Sequence, residues 1–333
     1  YIARQDLRQI RRIIVADYRE TVDYILGIPL FAQKIGKENL SSLLCRLGNP
    51  EKSIPAVHVA GTNGKGSTCR ALAQMLTGMG YRVGLFTSPH LVSINERIQI
   101  DGENISDADF VWAFETVKEK FTQHPSFFEV MFAMAAVYFR EKKCDFVVYE
   151  TGMGGRLDAT NVLMPELSII TSVGMDHMEY LGDTIEKIAA EKAGIIKPGI
   201  PIIYFKRDEA VAKVIEDTAR GQKSPVIPVE KQDYIINHLG DKTIDFSLHS
   251  RYYSYCNLVI QKTSLYQLEN ISLAVMAFYG LMKARNASEE DIENGIRETL
   301  PEFYWEGRME EIAPHIYVDG AHNVEAIRAY IDT

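Results

Sequence analysis

Val57-His58-Val59-Ala60-Gly61-Thr62-Asn63-Gly64-Lys65-Gly66-Ser67-Thr68 runs a short apolar strand into a turn with three glycines in six positions, then into two hydroxyls that open a helix. Glycines let the backbone fold back on itself and bring its N–H groups close to an anion. The following helix presents unpaired N–H groups and its positive dipole end to the same anion. Lys65 reaches the outer phosphates, and a hydroxyl from Ser67 or Thr68 can bind Mg²⁺. The stretch reads as a nucleoside triphosphate site. Its spacing departs from the usual P-loop, which sets about four residues before the Gly-Lys pair and Ser or Thr directly after it. Here only Thr62 and Asn63 separate Gly61 from Gly64, and Gly66 intrudes before Ser67.

The rest of the chain gives this turn its setting. Its 333 residues exceed one typical domain and suit two. An apolar content of 46% with 24% charged residues describes a soluble globular protein. A net charge of −9 argues against a nucleic-acid surface. Cys45, Cys69, Cys144 and Cys256 lie far apart with no C-x-x-C pair, which indicates neither a disulfide framework nor a zinc site and fits a reduced compartment. The apolar run Met131 to Phe139 is too short to span a membrane, and the first residues lack the apolar region of a signal peptide. These features predict a cytoplasmic protein that binds neither nucleic acid nor membrane.

Short apolar runs alternate with helical patterns over the first two hundred residues. Strands are expected at Ala56–Ala60, Arg82–Thr87, Asp145–Glu150, Ser168–Val173 and Pro201–Phe205. Helices are expected at Ser67–Met79, Asp107–Phe121, Phe128–Lys142, Thr184–Ala193 and Glu209–Ala219. The alternation predicts a doubly wound α/β fold with a mostly parallel sheet covered on both faces. From Asp233 to Ile260 apolar and polar residues alternate around a turn at Gly240-Asp241, which predicts antiparallel hairpins at the edge of the domain. Helices follow at Leu268–Ala284 and Ser288–Thr299, the second capped by Ser288 and Asp291, and Pro301–Gly307 reads as a linker. Residues 1–17 look like a basic helical extension, and a strand at His315–Val318 with the start of a helix closes the chain.

Further chemistry-bearing segments lie just after predicted strands, where ligands bind in open α/β sheets. They are Thr87-Ser88-Pro89-His90-Leu91 with Asn95-Glu96-Arg97-Ile98, Glu150 to Asn161 with its Gly152-Met153-Gly154-Gly155-Arg156, and Asp176-His177 with Leu181-Gly182. Glu191-Lys192-Ala193-Gly194 follows on the next helix. Together with the P-loop, these motifs resemble the Mur ligase superfamily and, more narrowly, the folylpolyglutamate synthase/dihydrofolate synthase family. The resemblance runs from about Thr21 to the end of the chain.

That resemblance implies roles. Gly61, Thr62, Asn63, Gly64, Lys65, Gly66, Ser67 and Thr68 would cradle ATP. Ser67 would bind a first Mg²⁺, while Glu150, His177 and Ser88 would hold a second with a carbamate on Lys192. On residue type alone Glu150 suits a hard cation at a strand end, His177 is a lone histidine, and Lys192 is one more helix lysine. Carbamylation requires a lysine amine whose pKa is lowered by burial. Gln267 and Asn270 resemble the segment whose Asn meets adenine, Arg308 resembles a linker arginine that reaches the γ-phosphate, and Asp319 and His322 resemble residues that a second domain lends to the nucleotide. Lys65, Lys192 and Arg308 would be the catalytic groups. Two departures from the family's pattern, Glu306 where Pro is usual and Tyr266 where His is common, touch none of these residues.

The fold so implied is an ATP-binding P-loop domain over residues 1–300, an interdomain linker over 301–310, and at 311–333 the incomplete start of a second, truncated α/β domain. The implied reaction adds L-glutamate to a pterin-linked carboxylate through an acyl phosphate, with a reduced folate, dihydropteroate or both as acceptor. The acceptor is expected against Leu40–Gly48 and the loop beyond Ser88. A P-loop NTPase or kinase would share the Lys65 turn but leave Glu150, His177 and Lys192 unexplained. A second domain of this family has roughly a hundred residues or more. The expectation is therefore a ligase, monomeric at full length, of which this chain is a nucleotide-binding fragment of weak or no activity. The apolar residues from Ile316 to Ile331 are expected to be disordered or packed against another copy.

Overall fold

Every residue of Ala56–Ala60 is buried, and this strand (β1) is paired in parallel on both sides. It therefore lies at the centre of the sheet, as its apolar run demands. The structure, a computed structural model, describes residues 17–29, 38–240, 243–261 and 264–332. The basic extension expected at 1–17 lies almost wholly outside the described residues, as does Asp241 of the expected turn.

Helices α1 (residues 17–26) and α2 (Glu38–Arg46) precede β1. After it come α3 (Lys65–Gly78), β2 (Val83–Phe86), the short strands β3 (Ile98–Ile100) and β4 (Glu103–Asn104), α4 (Asp107–Lys118) and α5 (Phe127–Glu141). Then follow β5 (Phe146–Glu150), β6 (Leu167–Ile170), α6 (Met178–Leu181), α7 (Ile185–Ala193), β7 (Ile202–Lys206), α8 (Glu209–Gly221) and β8 (Val226–Glu230). The eight strands order as β4-β3-β2-β5-β1-β6-β7-β8. All pairings are parallel except β2–β3 and β3–β4.

Alternate side chains of the strands feed opposite layers, as a pleat with a two-residue period requires. Val57, Val59, Leu85 and Val148 pack with α3 and α9 (Gln267–Ala284). Ala56, Phe86, Val147 and Tyr149 pack with α4 and α5 on the other face. The chain is doubly wound, as expected. Serine hydroxyls start several of these helices: Ser126 and Glu129 form a reciprocal capping box on α5, and Ser288 caps α10 (Glu289–Thr299).

The alternating stretch after residue 233 forms β9 (Tyr234–Leu239), β10 (Thr243–His249) and β11 (Ser254–Gln261). These make a separate three-stranded antiparallel sheet. Its inward residues Ile244, Phe246 and Leu248 join the core of α3, α9 and α10. The antiparallel edge of the main sheet is instead β3 with β4, which are too short to show a periodicity in sequence.

The C-terminal segment folds as a hairpin of β12 (Glu310–Ala313) and β13 (Ile316–Val318), followed by α11 (Val324–Ile331). Ile316, Val318, Val324, Ile327 and Ile331 are exposed side chains on these elements. No helix among the described residues is long and apolar enough to cross a membrane.

Candidate active site

The order β5-β1-β6 places the ends of three parallel strands side by side where the connections diverge, the usual position of a ligand crevice in an open α/β sheet. The loop after β1 docks against the end of β6. Thr62 N–H donates to Ser172 O at 2.7 Å, and Thr171 Oγ1 donates to Asn63 O at 2.7 Å. The approach is close enough that a Cβ on Gly61 would stand 1.8 Å from Thr171 Oγ1. Gly64, with φ +84°, turns the chain into α3, and a Cβ there would stand 2.0 Å from Asn270 Oδ1. These two glycines are dictated by space and by the left-handed backbone.

Lys65, in the first turn of α3, curls back over the loop. Its Nζ donates to Gly61 O at 3.2 Å and Thr62 O at 3.3 Å, and lies 3.9 Å from Glu150 Oε1. Glu150 ends β5 and is buried; its Oε2 accepts the Ser88 N–H at 3.0 Å. Burial raises the Glu150 carboxyl above the usual range, against the pull of Lys65, the Ser88 N–H, Arg308 and Arg97. Ser67, two residues beyond Lys65, and Thr151, next to Glu150 in the chain, are buried, and neither hydroxyl has a hydrogen-bond partner among the described residues. A buried hydroxyl without a partner costs on the order of 1–3 kcal/mol.

Lys192 comes in from α7 and is only 2% exposed. Its Nζ donates to Gly61 O at 2.8 Å, the carbonyl that Lys65 also reaches. Burial, with Lys65 adding to it, lowers its pKa to about 7. The shift is in the direction that the condition left open by residue type asks for.

The remaining expected residues divide between the crevice and its rim. Arg308 reaches in from the linker, and its charge acts on Glu150. Asn270 lies against Gly64, donates through Nδ2 to Gln267 Oε1 at 2.9 Å, and accepts from Thr68 Oγ1 at its backbone oxygen. Asp319 accepts from Tyr266 Oη, from Met309 N–H and from Ala321 N–H, so its carboxylate fastens the linker to α9. His322 is exposed, with Nδ1 2.8 Å from Gly320 O. His177 has a left-handed backbone at the start of α6 and a half-exposed ring, with Nε2 4.0 Å from Asp176 Oδ2. Among the described residues, no three His, Cys, Asp or Glu side chains stand close enough together to hold a metal ion unaided.

Several groups that sequence reading passed over without a role support this arrangement. Arg97, in the segment after Ser88, is buried, donates to His90 Nδ1 at 2.8 Å and lies over the Phe127 ring. The Trp305 indole covers Gly66. Beneath the loop after β5, the buried His58 ring meets Thr160 Oγ1 at 2.7 Å, Thr160 donates to Asp158, and Asp158 Oδ2 accepts the Gly152 and Met153 N–H groups. His58 stands in β1, but its chemistry is visible only when that strand is seen beside residue 160.

A family model described as the Mur ligase middle domain matches residues 59–278. The chain is 39% identical over 330 residues to a dihydrofolate synthase/folylpolyglutamate synthase of Bacillus subtilis, covering 95% of this chain and 76% of that protein. It is 34% identical over 329 residues to a folylpolyglutamate synthase of Lacticaseibacillus casei, with the same coverages of 95% and 76%. Among solved structures, a folylpolyglutamate synthase complex with AMPPCP and folate superposes with a TM-score of 0.87 at 34% identity, over 95% of this chain and 79% of that one. The fold, the loop after β1 and these relatives agree, and the chain belongs to the folylpolyglutamate synthase/dihydrofolate synthase family, whose architecture is that of the Mur ligases.

Proposed function

We propose that the chain is an ATP-dependent acid–amino-acid ligase that joins L-glutamate to the carboxylate of a reduced folate and of dihydropteroate. The observation that carries this reading is the convergence of Lys65, Ser67, Glu150 and Arg308 on one crevice at the ends of β1 and β5. The names of the relatives, a dihydrofolate synthase/folylpolyglutamate synthase and a folylpolyglutamate synthase, support folate-type substrates.

The nucleotide phosphates occupy the N-terminus of α3, where the backbone N–H groups from Gly64 to Ser67 face an anion. Lys65 turns from the Gly61 and Thr62 carbonyls to the β- and γ-phosphates. Asn270 meets the base, and Asp319 and His322 approach the nucleotide from the linker side. The acceptor carboxylate attacks the γ-phosphorus in line, ADP leaves, and an acyl phosphate results. The glutamate amine then attacks the acyl carbon, phosphate departs, and the amine loses its proton. Lys65 and Arg308 stabilise the charge on the transferred phosphoryl group, and positioning supplies most of the remaining rate.

The donor set fits Mg²⁺. Ser67 Oγ is buried without a partner, and Glu150 is a desolvated carboxylate with one N–H donor and one distant ammonium. Both are hard oxygen ligands. Ser67 would hold one ion; Ser88, Glu150, His177 and a carbamate on Lys192 would hold the other. Bound there, Mg²⁺ neutralises phosphate charge. The carbamate forms when the neutral Nζ bonds to the carbon of CO₂ and releases a proton, a reaction that the lowered pKa of Lys192 favours.

The test is phosphate release from MgATP with tetrahydrofolate or dihydropteroate, each with and without L-glutamate. Release that requires both acceptor and glutamate is expected. Acceptor-independent hydrolysis would identify an NTPase instead, and an acceptor that supports no turnover is struck from the reading.

A further inference from the structure

The Asn63 side chain, in the middle of the loop after β1, is paired with a residue 260 positions away. Its Nδ2 donates to Asn323 Oδ1 at 3.1 Å, and its Oδ1 accepts from Asn323 Nδ2 at 3.0 Å. Asn323 Nδ2 also donates to Asp176 Oδ2 at 3.2 Å, and Asn323 Oδ1 accepts the Ala326 N–H at 2.9 Å as the cap of α11. An amide has two donor sites and two acceptor sites. All four are used here, in bonds to three residues, so only asparagine satisfies the position. Aspartate could cap the helix and accept from Asn63, but it could donate to neither Asn63 nor Asp176.

The three segments so joined matter to the site. Asn63 belongs to the phosphate loop. Asp176 lies on the loop after β6, where its Oδ1 accepts the His177 N–H at 2.8 Å. Asn323 begins the helix that follows the linker carrying Arg308. A second contact runs parallel: Glu325, in the first turn of α11, packs on Gly174, whose N–H donates to Thr62 Oγ1 at 3.0 Å. The phosphate loop is thus braced from below by β6 and from the side by α11.

We infer that Asn323 is a positioning residue for nucleotide binding, holding the Asn63 turn and the Asp176 loop in register with the segment that carries Arg308. Because coupling between sites is reciprocal, nucleotide binding tightens α11 to the same degree that α11 steadies the loop. The inference rests on the reading of residues 61–68 as a nucleotide loop, but not on the ligase chemistry.

MgADP affinity is measured by calorimetry on the whole chain for wild type, N323D and D176N/N323D. N323D keeps the α11 cap, so a residue needed only for helix folding predicts no loss. The clasp predicts about five- to tenfold weaker binding, at the lower end of ordinary coupling energies. It also predicts that D176N restores much of this, because an amide at position 176 can donate to the new carboxylate and still accept the His177 N–H. Hydrogen exchange of residues 324–331 is expected to slow when MgADP binds to wild type and to remain fast in N323D. Wild-type affinity in N323D, or a loss that D176N leaves untouched, overturns the inference. A wild-type chain that binds no MgADP overturns the nucleotide reading and the clasp with it.

Discussion

Replacing Gly64 by alanine separates the two demands that the structure makes at that position. The first is conformational: a left-handed backbone at φ +84° costs an L-residue about 1–2 kcal/mol. The second is steric, because the new methyl would stand 2.0 Å from Asn270 Oδ1 and 2.8 Å from its Cγ. Asn270 is buried and must swing away, giving up its 2.9 Å hydrogen bond to Gln267, itself fully buried. A lost bond of this kind costs about 1 kcal/mol, and more if its partner is left unpaired. Together these give G64A a destabilisation of about 3 kcal/mol.

Urea unfolding of wild type, G64A, N270A and G64A/N270A resolves the parts. In the N270A background the side chain that clashes is gone, so the same glycine substitution is expected to cost about 1–2 kcal/mol, which is the backbone contribution alone. MgADP binding by G64A is expected to weaken as well, because the displaced Asn270 is the group assigned to the base. A G64A penalty below about 1 kcal/mol, or an equal penalty in both backgrounds, would refute the close packing of α9 on the loop.

Two pH-linked predictions follow from buried bases. The Lys192 pKa of about 7, against 10.5 for an ordinary lysine, makes the folded state hold fewer protons than the unfolded chain between those values, so stability rises with pH across that window. In metal- and bicarbonate-free buffer, K192M is expected to be more stable than wild type by about 2–3 kcal/mol at pH 7, after allowing for the lost bond to Gly61. That margin should shrink as the pH approaches 9 while ligase turnover is lost; an unchanging margin would count against a desolvated amine. His58, driven by burial to about 3, must stay neutral in the fold and gain a proton on unfolding. Wild type is expected to lose about 1.4 kcal/mol per unit from this residue as the pH falls from 6 to 4. H58N should show a correspondingly shallower urea-midpoint profile; parallel profiles for the two proteins would contradict the assignment.

What sequence could and could not reveal follows from the range of the forces involved. The strands β1, β2, β5, β6 and β7 lie within a few residues of their expected bounds, because a continuous apolar run between turns is a local signal. Strand β8 escaped because Pro228 interrupts it, and a proline is tolerated in a strand that lies at the sheet edge. The glycine-lysine turn was legible for the same local reason. Lys192 was not, since its burial comes from α7 packing behind a loop 131 residues earlier. Asn323 was legible only as the end of the Asp319-Gly320-Ala321-His322-Asn323 run. Its value lies in four bonds that join three segments, and nothing in the neighbouring residues announces them.

Burial of polar groups does not by itself distinguish function from architecture in this chain, and the contrast between two clusters shows what does. The His58–Thr160–Asp158 relay is buried, yet it is nearly closed: Asp158 accepts from two loop N–H groups and from Thr160. Only a ring nitrogen of the neutral His58 is left over. Such a relay fixes the loop after β5 and asks for no ligand. The cluster around Gly61 is buried but open. Lys65 and Lys192 share one carbonyl, Glu150 meets the Lys65 ammonium at 3.9 Å, and Ser67 Oγ has no hydrogen-bond partner among the described residues. Each deficit costs stability, and Lys65 links three of these groups through Gly61 and Glu150. Unsatisfied buried groups ask for an explanation, and a bound ligand is one. Under the proposed ligase reading, phosphate oxygens and a divalent cation would complete this set.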